Sequence, residues 1–283
     1  MGLLEKKAGG QKIDNPWRSN LSHIDQLRGG VGLGELQRQR DPDELRNIFE
    51  KGVKARFNQR KQGLLLDTYD LAMDLHRGQQ PPRRTGAEVG THPAMLAIMG
   101  LYDPEVNAVE TAIKLLHDTI EDRRINQHDL TVRLRGIGWH LTTANTIANI
   151  VSALDSKGLD QDSYNEQVRR AHQKYSKYGL FHGKIDVAGL KADDRAHNTN
   201  DDNTMMVDNP DDVDYAEIER YRIEKAERAL RLALELSPNS PDCFRLEAAI
   251  NTNEELSRER VVAADEATEI FPGTAGKQSS PSL

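Results

Sequence analysis

The sequence predicts an all-α protein, and two observations support that expectation. Apolar residues recur at the spacing of an amphipathic helix in most segments between residues 41 and 268. The alternation of apolar and polar residues that is typical of a strand never persists long enough to form a sheet. We therefore expect a helical bundle with helical extensions at its N-terminal and C-terminal ends.

The first expected helices follow residue 40. Asp41-Pro42-Asp43-Glu44 is typical of a helix start, because aspartate can cap a helix and proline fits its first turn. Apolar residues then recur at helical spacing, at Leu45, Ile48, Phe49, Val53 and Phe57. A second helix should run through Leu64 to Leu75 and end at Gly78. Prolines, glycines and basic residues predict a loop over residues 77–90.

Helices dominate the rest of the expected structure. One should follow Pro93 and end at Gly100, and the next should open at Asp103-Pro104-Glu105 and pass through Leu116. Further helices are expected near residues 139–155, 162–177, 184–199 and 213–236, and within 241–268.

The same pattern predicts how the chain is divided. We expect an N-terminal extension over residues 1–40, a main domain over 41–205 and a C-terminal helical extension over 206–271. The tail over residues 272–283 is rich in Gly, Ser and Pro, so it is expected to be disordered.

Composition excludes several classes of protein. Mean hydropathy is -0.70, and no apolar run reaches the roughly 20 residues that cross a bilayer, so no membrane partner is expected. The net charge of -7 argues against nucleic acid as a partner, although a small anionic ligand needs only a few local cations. The single cysteine, Cys243, can form neither an internal disulfide nor a thiolate metal cluster. Because the residues after Met1 carry no secretion or lipidation signal, we expect a cytoplasmic protein.

The strongest chemical signal is the segment Lys114-Leu-Leu-His-Asp-Thr-Ile-Glu-Asp122, where a hydrophobic helix ends on polar residues. Residues four apart share a helix face, so His117 lies beside Glu121 and Asp118 lies beside Asp122. Neighbouring carboxylates repel one another, and a divalent cation relieves that repulsion. Imidazole and carboxylate together suit manganese, iron or zinc.

Two other segments contain further candidate ligands. Thr91-His92-Pro93 places a histidine at the start of a helix, where proline costs no hydrogen bond. Lys191-Ala-Asp-Asp-Arg-Ala-His-Asn198 supplies Asp194, with His197 and Asn198 about one turn further along the same helix. The candidate metal ligands are His92, His117, Asp118 and Asp194.

The order His92, His117-Asp118, Asp194 resembles the H...HD...D signature of the HD phosphohydrolase superfamily. Residues 62–205 resemble, more specifically, the hydrolase domain of the Rel/Spo alarmone enzymes, which remove the 3'-pyrophosphate from ppGpp. The likeness lies in short segments: 75–79 (LHRGQ), 83–86 (RRTG) before 91–93 (THP), 116–122 (LHDTIED) and 191–198 (KADDRAHN). No counterpart of the synthetase half follows residue 205, so the small alarmone hydrolases are the nearest parallel.

The resemblance implies a helical HD-domain bundle and a role for each matching residue. The four candidate ligands would bind Mn²⁺ or another divalent metal, while Glu121 and Asp122 would orient or deprotonate the attacking water. Arg83 and Arg84 would border a nucleotide substrate, and Asn198 would contact its sugar or base. The expected activity is that of a guanosine 3',5'-bis(diphosphate) 3'-pyrophosphohydrolase.

Two departures from the family pattern keep other functions open. Residues 87–90 and 199–201 differ from the family where the nucleotide would lie. The chain could therefore be an HD phosphohydrolase that acts on another phosphorylated nucleotide. A third alternative is a non-catalytic, metal-stabilised module that binds a nucleotide or a protein. The sequence does not predict the oligomeric state.

Two further histidines, His76 and His140, receive no catalytic role. His76 and His140 are expected to be helix caps or satisfied surface groups, which is the common fate of a lone histidine at a helix end.

Overall fold

The computed structural model describes residues 41–80, 83, 87–103, 105–176, 185–208 and 215–270. These residues form ten helices and contain no strand, which confirms the predicted all-α fold. The N-terminal extension over residues 1–40 and the predicted disordered tail over 272–283 lie outside the described residues. No described helix has the length and apolar character needed to cross a membrane.

The described helices are numbered in chain order. Their bounds are α1 Pro42–Arg56, α2 Gln59–His76, α3 Thr91–Gly100, α4 Ala108–Glu121, α5 Gln127–Ile137, α6 Leu141–Ala153, α7 Gln161–Tyr175, α8 Val187–Asp208, α9 Tyr215–Leu236 and α10 Pro241–Ile270.

Polar residues at the helix starts explain where several helices begin. The Asp41 carboxylate accepts a hydrogen bond from the Asp43 amide at 2.9 Å, as the predicted start of α1 requires. The helix α4 begins at Ala108, later than the expected start at Asp103. Asn107 and Glu110 form a reciprocal capping box there, which fixes the first turn of α4.

The sequence analysis did not predict helix α5. This helix buries only Leu130 and Leu134, while Val132 is 55% exposed, so its apolar periodicity is weak. Asn126 caps the start of α5 by accepting from the Asp129 amide. Gly138 ends it with φ +112, a left-handed conformation that favours glycine.

Helix α3 lies at the centre of the bundle and is buried on every face. A helix that is apolar all round must be shielded from water, and here α1, α4 and α8 pack around α3. Helix α4 also packs against α2 and α6. These contacts bring the N-terminal end of α3 towards the C-terminal end of α4.

The C-terminal helices α9 and α10 pack against α8. Their shared core contains small and aliphatic residues: Ala188, Ala192, Ala196, Ala226, Leu230, Ala233, Cys243, Leu246 and Ile250. Alanines on α8 let the neighbouring helices approach closely. Residue 205 lies within α8, and the division of the chain at that position stays a prediction.

The capping box at α4 yields a first testable prediction. Asn107→Ala should lower the free energy of unfolding by about 1–2 kcal/mol, because backbone amides of the first turn lose their acceptor. Denaturant titration would measure the change. The matched control is Asn251→Ala, at an exposed position inside α10, which should not lower the stability. Equal losses for both variants would contradict a specific role for the cap.

Candidate metal centre

Three helices bring together three of the four predicted metal ligands. His92 lies in the first turn of α3, His117 in the last turn of α4 and Asp194 in the middle of α8. One possible ligand atom from each residue lies within 4.8 Å of the other two. All three side chains are buried. Distant parts of the sequence thus meet at one point.

The distances among these atoms suit a shared cation. His92 Nε2 lies 3.1 Å from His117 Nε2 and 3.1 Å from Asp194 Oδ1. His117 Nε2 is 3.6 Å from the same carboxylate oxygen. Metal bonds of about 2.0–2.2 Å place neighbouring ligand atoms on the order of 3 Å apart. The geometry of the three side chains therefore fits a divalent metal.

Asp118, the fourth predicted ligand, contacts both histidines. Its Oδ1 lies 3.0 Å from His117 Nε2, and its Oδ2 lies 3.6 Å from His92 Nε2. Asp118 is partly exposed, whereas the other three ligands are buried. Two imidazoles with two carboxylates form a donor set suited to manganese, iron or zinc.

Hydrogen bonds on the outer side of each ring orient the histidines. His117 Nδ1 donates to the Lys114 carbonyl oxygen at 2.9 Å, so Nε2 is the atom that faces the other ligands. His92 Nδ1 lies 2.8 Å from Nδ1 of His197. The sequence placed His197 on the same helix as Asp194 but gave it no role. In the structure it supports the ring of His92.

The two histidines have different protonation states. Burial alone lowers the pKa of His117, but Asp118 and Asp194 outweigh burial and raise that pKa to about 10. Burial lowers the pKa of His92 to about 3, and Arg83 acts in the same direction. At neutral pH the metal-free site therefore holds one protonated and one neutral imidazole.

Asp194 stays ionised because cations surround it. Its burial would raise the pKa, but Lys191 and the two histidines hold the pKa well below the usual range. Lys191 Nζ donates to Asp194 Oδ2 at 2.8 Å. Asn198 Nδ2 donates to Asp194 Oδ1 at 2.7 Å. Asn198 was predicted to contact substrate, and here it orients a candidate metal ligand.

Arg83, a predicted substrate-binding residue, is paired with a carboxylate of the same chain. Its Nη2 donates to Asp201 Oδ2 at 2.6 Å and to Asn198 Oδ1 at 2.8 Å. Asp201 belongs to the segment where the sequence departs from the Rel/Spo pattern, so this departure supplies the partner of Arg83. Arg84 lies outside the described residues.

The two predicted catalytic carboxylates follow Asp118 by about one turn. Glu121 Oε1 accepts a hydrogen bond from Ser156 Oγ at 2.7 Å. Asp122 Oδ2 accepts one from Gln79 Nε2 at 2.8 Å. Each acid is thus held by a neutral donor, and Gln79 belongs to the segment that resembles the family's first motif.

A buried ion cluster beside the site was not predicted. Asp193 is fully buried and forms ion pairs with Lys114 of α4 and Arg245 of α10. The distance from Arg245 Nε to Asp193 Oδ1 is 3.1 Å. The adjacent aspartates were visible in the sequence, but Arg245 lies beyond the region that resembles the family.

The two histidines without a catalytic role differ from each other. His140 caps α6, because its Nδ1 accepts a hydrogen bond from the Thr142 amide at 3.3 Å. A helix cap was one of the two predicted roles. His76 is buried rather than at the surface. His76 faces inward at the end of α2, and its Nδ1 lies 2.9 Å from Gln79 Oε1. Because Gln79 also donates to Asp122, His76 belongs to the same group of contacts.

Comparison with protein-family models gave no match for this chain. A search of curated proteins likewise found none. The likeness to HD phosphohydrolases therefore depends on the short motifs and on the convergence of the residues that they contain.

The charge of the site predicts that metal binding releases a proton. A metal needs the neutral imidazole of His117, which is protonated below about pH 10 in the metal-free protein. Binding at pH 7 should therefore release about one proton, and affinity should rise about tenfold per pH unit between pH 7 and 9. Calorimetric Mn²⁺ titrations in buffers of different ionisation enthalpy would count the protons. Binding that releases none would contradict the protonated state of His117.

The Asp193 cluster yields a prediction about stability. Arg245→Ala should lower the free energy of unfolding by about 3 kcal/mol, since it leaves a buried carboxylate with one cation instead of two. Denaturant titration would measure the loss. Arg258→Ala changes an exposed arginine on the same helix and should have a much smaller effect. A similar loss in both variants would argue against the ion cluster.

Proposed function

We propose that this protein is a metal-dependent phosphohydrolase of the HD kind that acts on a phosphorylated nucleotide, with ppGpp as the leading substrate. The observation that carries the proposal is the convergence of His92, His117 and Asp194, whose ligand atoms lie within 4.8 Å of one another. The contacts of Asp118 with both histidines add to it. The residues come from the segments that resemble the Rel/Spo hydrolase domain.

The metal would be held by His92, His117, Asp118 and Asp194. When bound, it supplies charge that lowers the pKa of a water molecule and stabilises the developing charge on phosphoryl oxygens. The protein's own part is to keep Asp194 ionised through Lys191, and to orient both imidazoles through their outer nitrogens.

We assign Glu121 the role of general base, which accepts a proton from the attacking water. Ser156 occupies its Oε1, so Oε2 is the atom that takes the proton as the water oxygen bonds to phosphorus. Asp122 is held by Gln79 and fixes the end of α4 next to Glu121. The bond from phosphorus to the leaving oxygen breaks, the leaving oxygen takes up a proton from solvent, and Glu121 afterwards returns its proton to solvent.

The ion pair between Arg83 and Asp201 favours keeping a second candidate substrate, a phosphorylated nucleotide other than ppGpp. An alarmone phosphate at Arg83 would compete with the Asp201 carboxylate, which is 2.6 Å away. The family pattern lacks an acid at this position. Another phosphorylated nucleotide, which does not depend on Arg83, is therefore the alternative substrate.

The test uses chelator-treated full-length protein with and without added Mn²⁺. Release of pyrophosphate from ppGpp should require Mn²⁺ and should be lost in His117→Ala, because the metal loses a ligand. Glu121→Gln should still bind Mn²⁺ but lower kcat by about 10²–10⁴-fold. Glu166→Gln, an exposed acid on α7, is the matched control and should keep full activity.

Other results would redirect or overturn the proposal. Release from a different nucleotide, with the same dependence on Mn²⁺ and Glu121, would support the alternative substrate. Tight Mn²⁺ binding with no hydrolysis across a panel of phosphorylated nucleotides would favour the non-catalytic module.

A further inference from the structure

A pocket of about 360 Å³ lies among α7, α8, α9 and the loop after α6. Its walls include four basic side chains and two aromatic rings, those of Lys191, Arg195, Lys225, Arg228, Tyr164 and Tyr221. The sequence assigned the residues of α9 no catalytic or substrate-binding role, and only the alternative of a non-catalytic binding module involved the helices beyond residue 213. The resemblance to the Rel/Spo hydrolase domain ends before this helix begins.

The pocket is positively charged although the whole chain carries a net charge of -7. Its walls contain four cationic side chains and the carboxylate of Glu224. Lys191 and Arg195 of α8 also contact Asp194. Lys225 and Arg228 of α9 are therefore the cations of the walls that an anion can reach without displacing a candidate metal ligand. Arg228 lies 3.7 Å from Glu224 at an exposed position, where an ion pair contributes little. An anion is therefore the ligand that the walls favour.

Two of the cations join the pocket to the candidate metal centre. Lys191 Nζ lies 2.8 Å from Asp194 Oδ2, and Arg195 Nε lies 3.9 Å from the same oxygen. Ser156, which also lines the pocket, donates to Glu121. The pocket therefore borders both a metal ligand and the proposed proton acceptor.

Aromatic rings give the pocket a second chemical character. Tyr221 is 58% exposed, and Lys225 Nζ lies 4.4 Å from the centre of its ring. Lys191 Nζ lies 5.6 Å from the ring of Tyr164. The ring of Tyr164 is buried, whereas an exposed ring beside a cation, as at Tyr221, is typical of sites that stack a base and bind a phosphate. A nucleotide has both groups.

The surroundings of Arg83 offer less to an anion. Arg83 Nη2 lies 2.6 Å from Asp201 Oδ2, so a phosphate that binds Arg83 would have to displace that carboxylate. In the pocket, by contrast, Lys225 contacts the ring of Tyr221, and a phosphate could approach it without displacing an acid.

We propose that this pocket, rather than the Arg83 side, binds the non-reacting phosphate groups of a nucleotide substrate. Lys225 and Arg228 contact the phosphates, and Tyr221 packs against the base or sugar. This inference depends on the proposed function, because it assigns the remainder of the substrate to the pocket while one phosphate reacts at the metal centre.

The first experiment is a calorimetric titration of inorganic pyrophosphate into chelator-treated, full-length protein. The double variant Lys225→Glu/Arg228→Glu should weaken pyrophosphate binding tenfold or more. Arg231→Glu reverses an exposed charge on the same helix outside the pocket and should leave binding unchanged. Arg83→Gln should also have little effect. Thermal melting of each variant checks that it is folded.

Two results of this titration would overturn the inference. One is a failure of the folded wild-type protein to bind pyrophosphate. The other is a loss of binding in Arg83→Gln that is as large as the loss in the α9 double variant.

A second experiment separates the pocket from the proposed function. On the hydrolysed nucleotide, the α9 double variant should raise KM more than it lowers kcat, because binding groups far from the reacting atoms are lost. Pyrophosphate binding that depends on α9, with no nucleotide hydrolysed, would overturn the proposed function while supporting a phosphate pocket. Nucleotide hydrolysis with an unchanged KM in the double variant would overturn the pocket and leave the proposed function standing.

Discussion

The burial of two adjacent carboxylates on α8 is the constraint on which the rest of the site depends. Successive helix residues point about 100° apart, so Asp193 and Asp194 face different neighbours. An ionised carboxylate taken out of water loses several kcal/mol of hydration, which its partners must offset. Asp193 meets Lys114 and Arg245, whereas Asp194 meets Lys191 and two histidines. Each aspartate thus has its own set of compensating groups, and these come from several helices.

The same constraint couples the candidate metal centre to the packing of the bundle. Lys114 and His117 are three residues apart on α4 and therefore share a face, so one helix serves both aspartates. A shift of α4 along α8 would break the ion pair of Asp193 and the contact of Asp194 together. Arg245 brings α10 into the same arrangement. The helix that follows the region of family resemblance therefore supports the carboxylate next to a candidate metal ligand.

Local patterns predicted much of the fold and of the site, and long-range partners account for what they missed. Helical spacing located most helices, because an amphipathic helix shows its buried face in the sequence, but α5 buries too few apolar residues to be recognised. Motif order was enough to select His92, His117 and Asp194, which the structure brings together. It could not show that Arg83 pairs with Asp201, since 118 residues separate them and either alone is a typical surface charge. The role of Arg245 was hidden for the same reason.

Charge is also distributed unevenly around Asp194. On one side, Asp201 and Asn198 already satisfy Arg83, so an incoming phosphate gains little net attraction there. On the other side, the cations of α8 and α9 outnumber the carboxylates, and Asp194 itself touches the inner pair. Attraction between an anion and a site depends on the sum of the local charges, and water exclusion strengthens it. A chain with a net charge of -7 can thus still present a locally cationic surface, where its carboxylates do not pair with every cation. Asp201, which lies where the sequence departs from the Rel/Spo pattern, pairs with Arg83, whereas Lys225 contacts the ring of Tyr221.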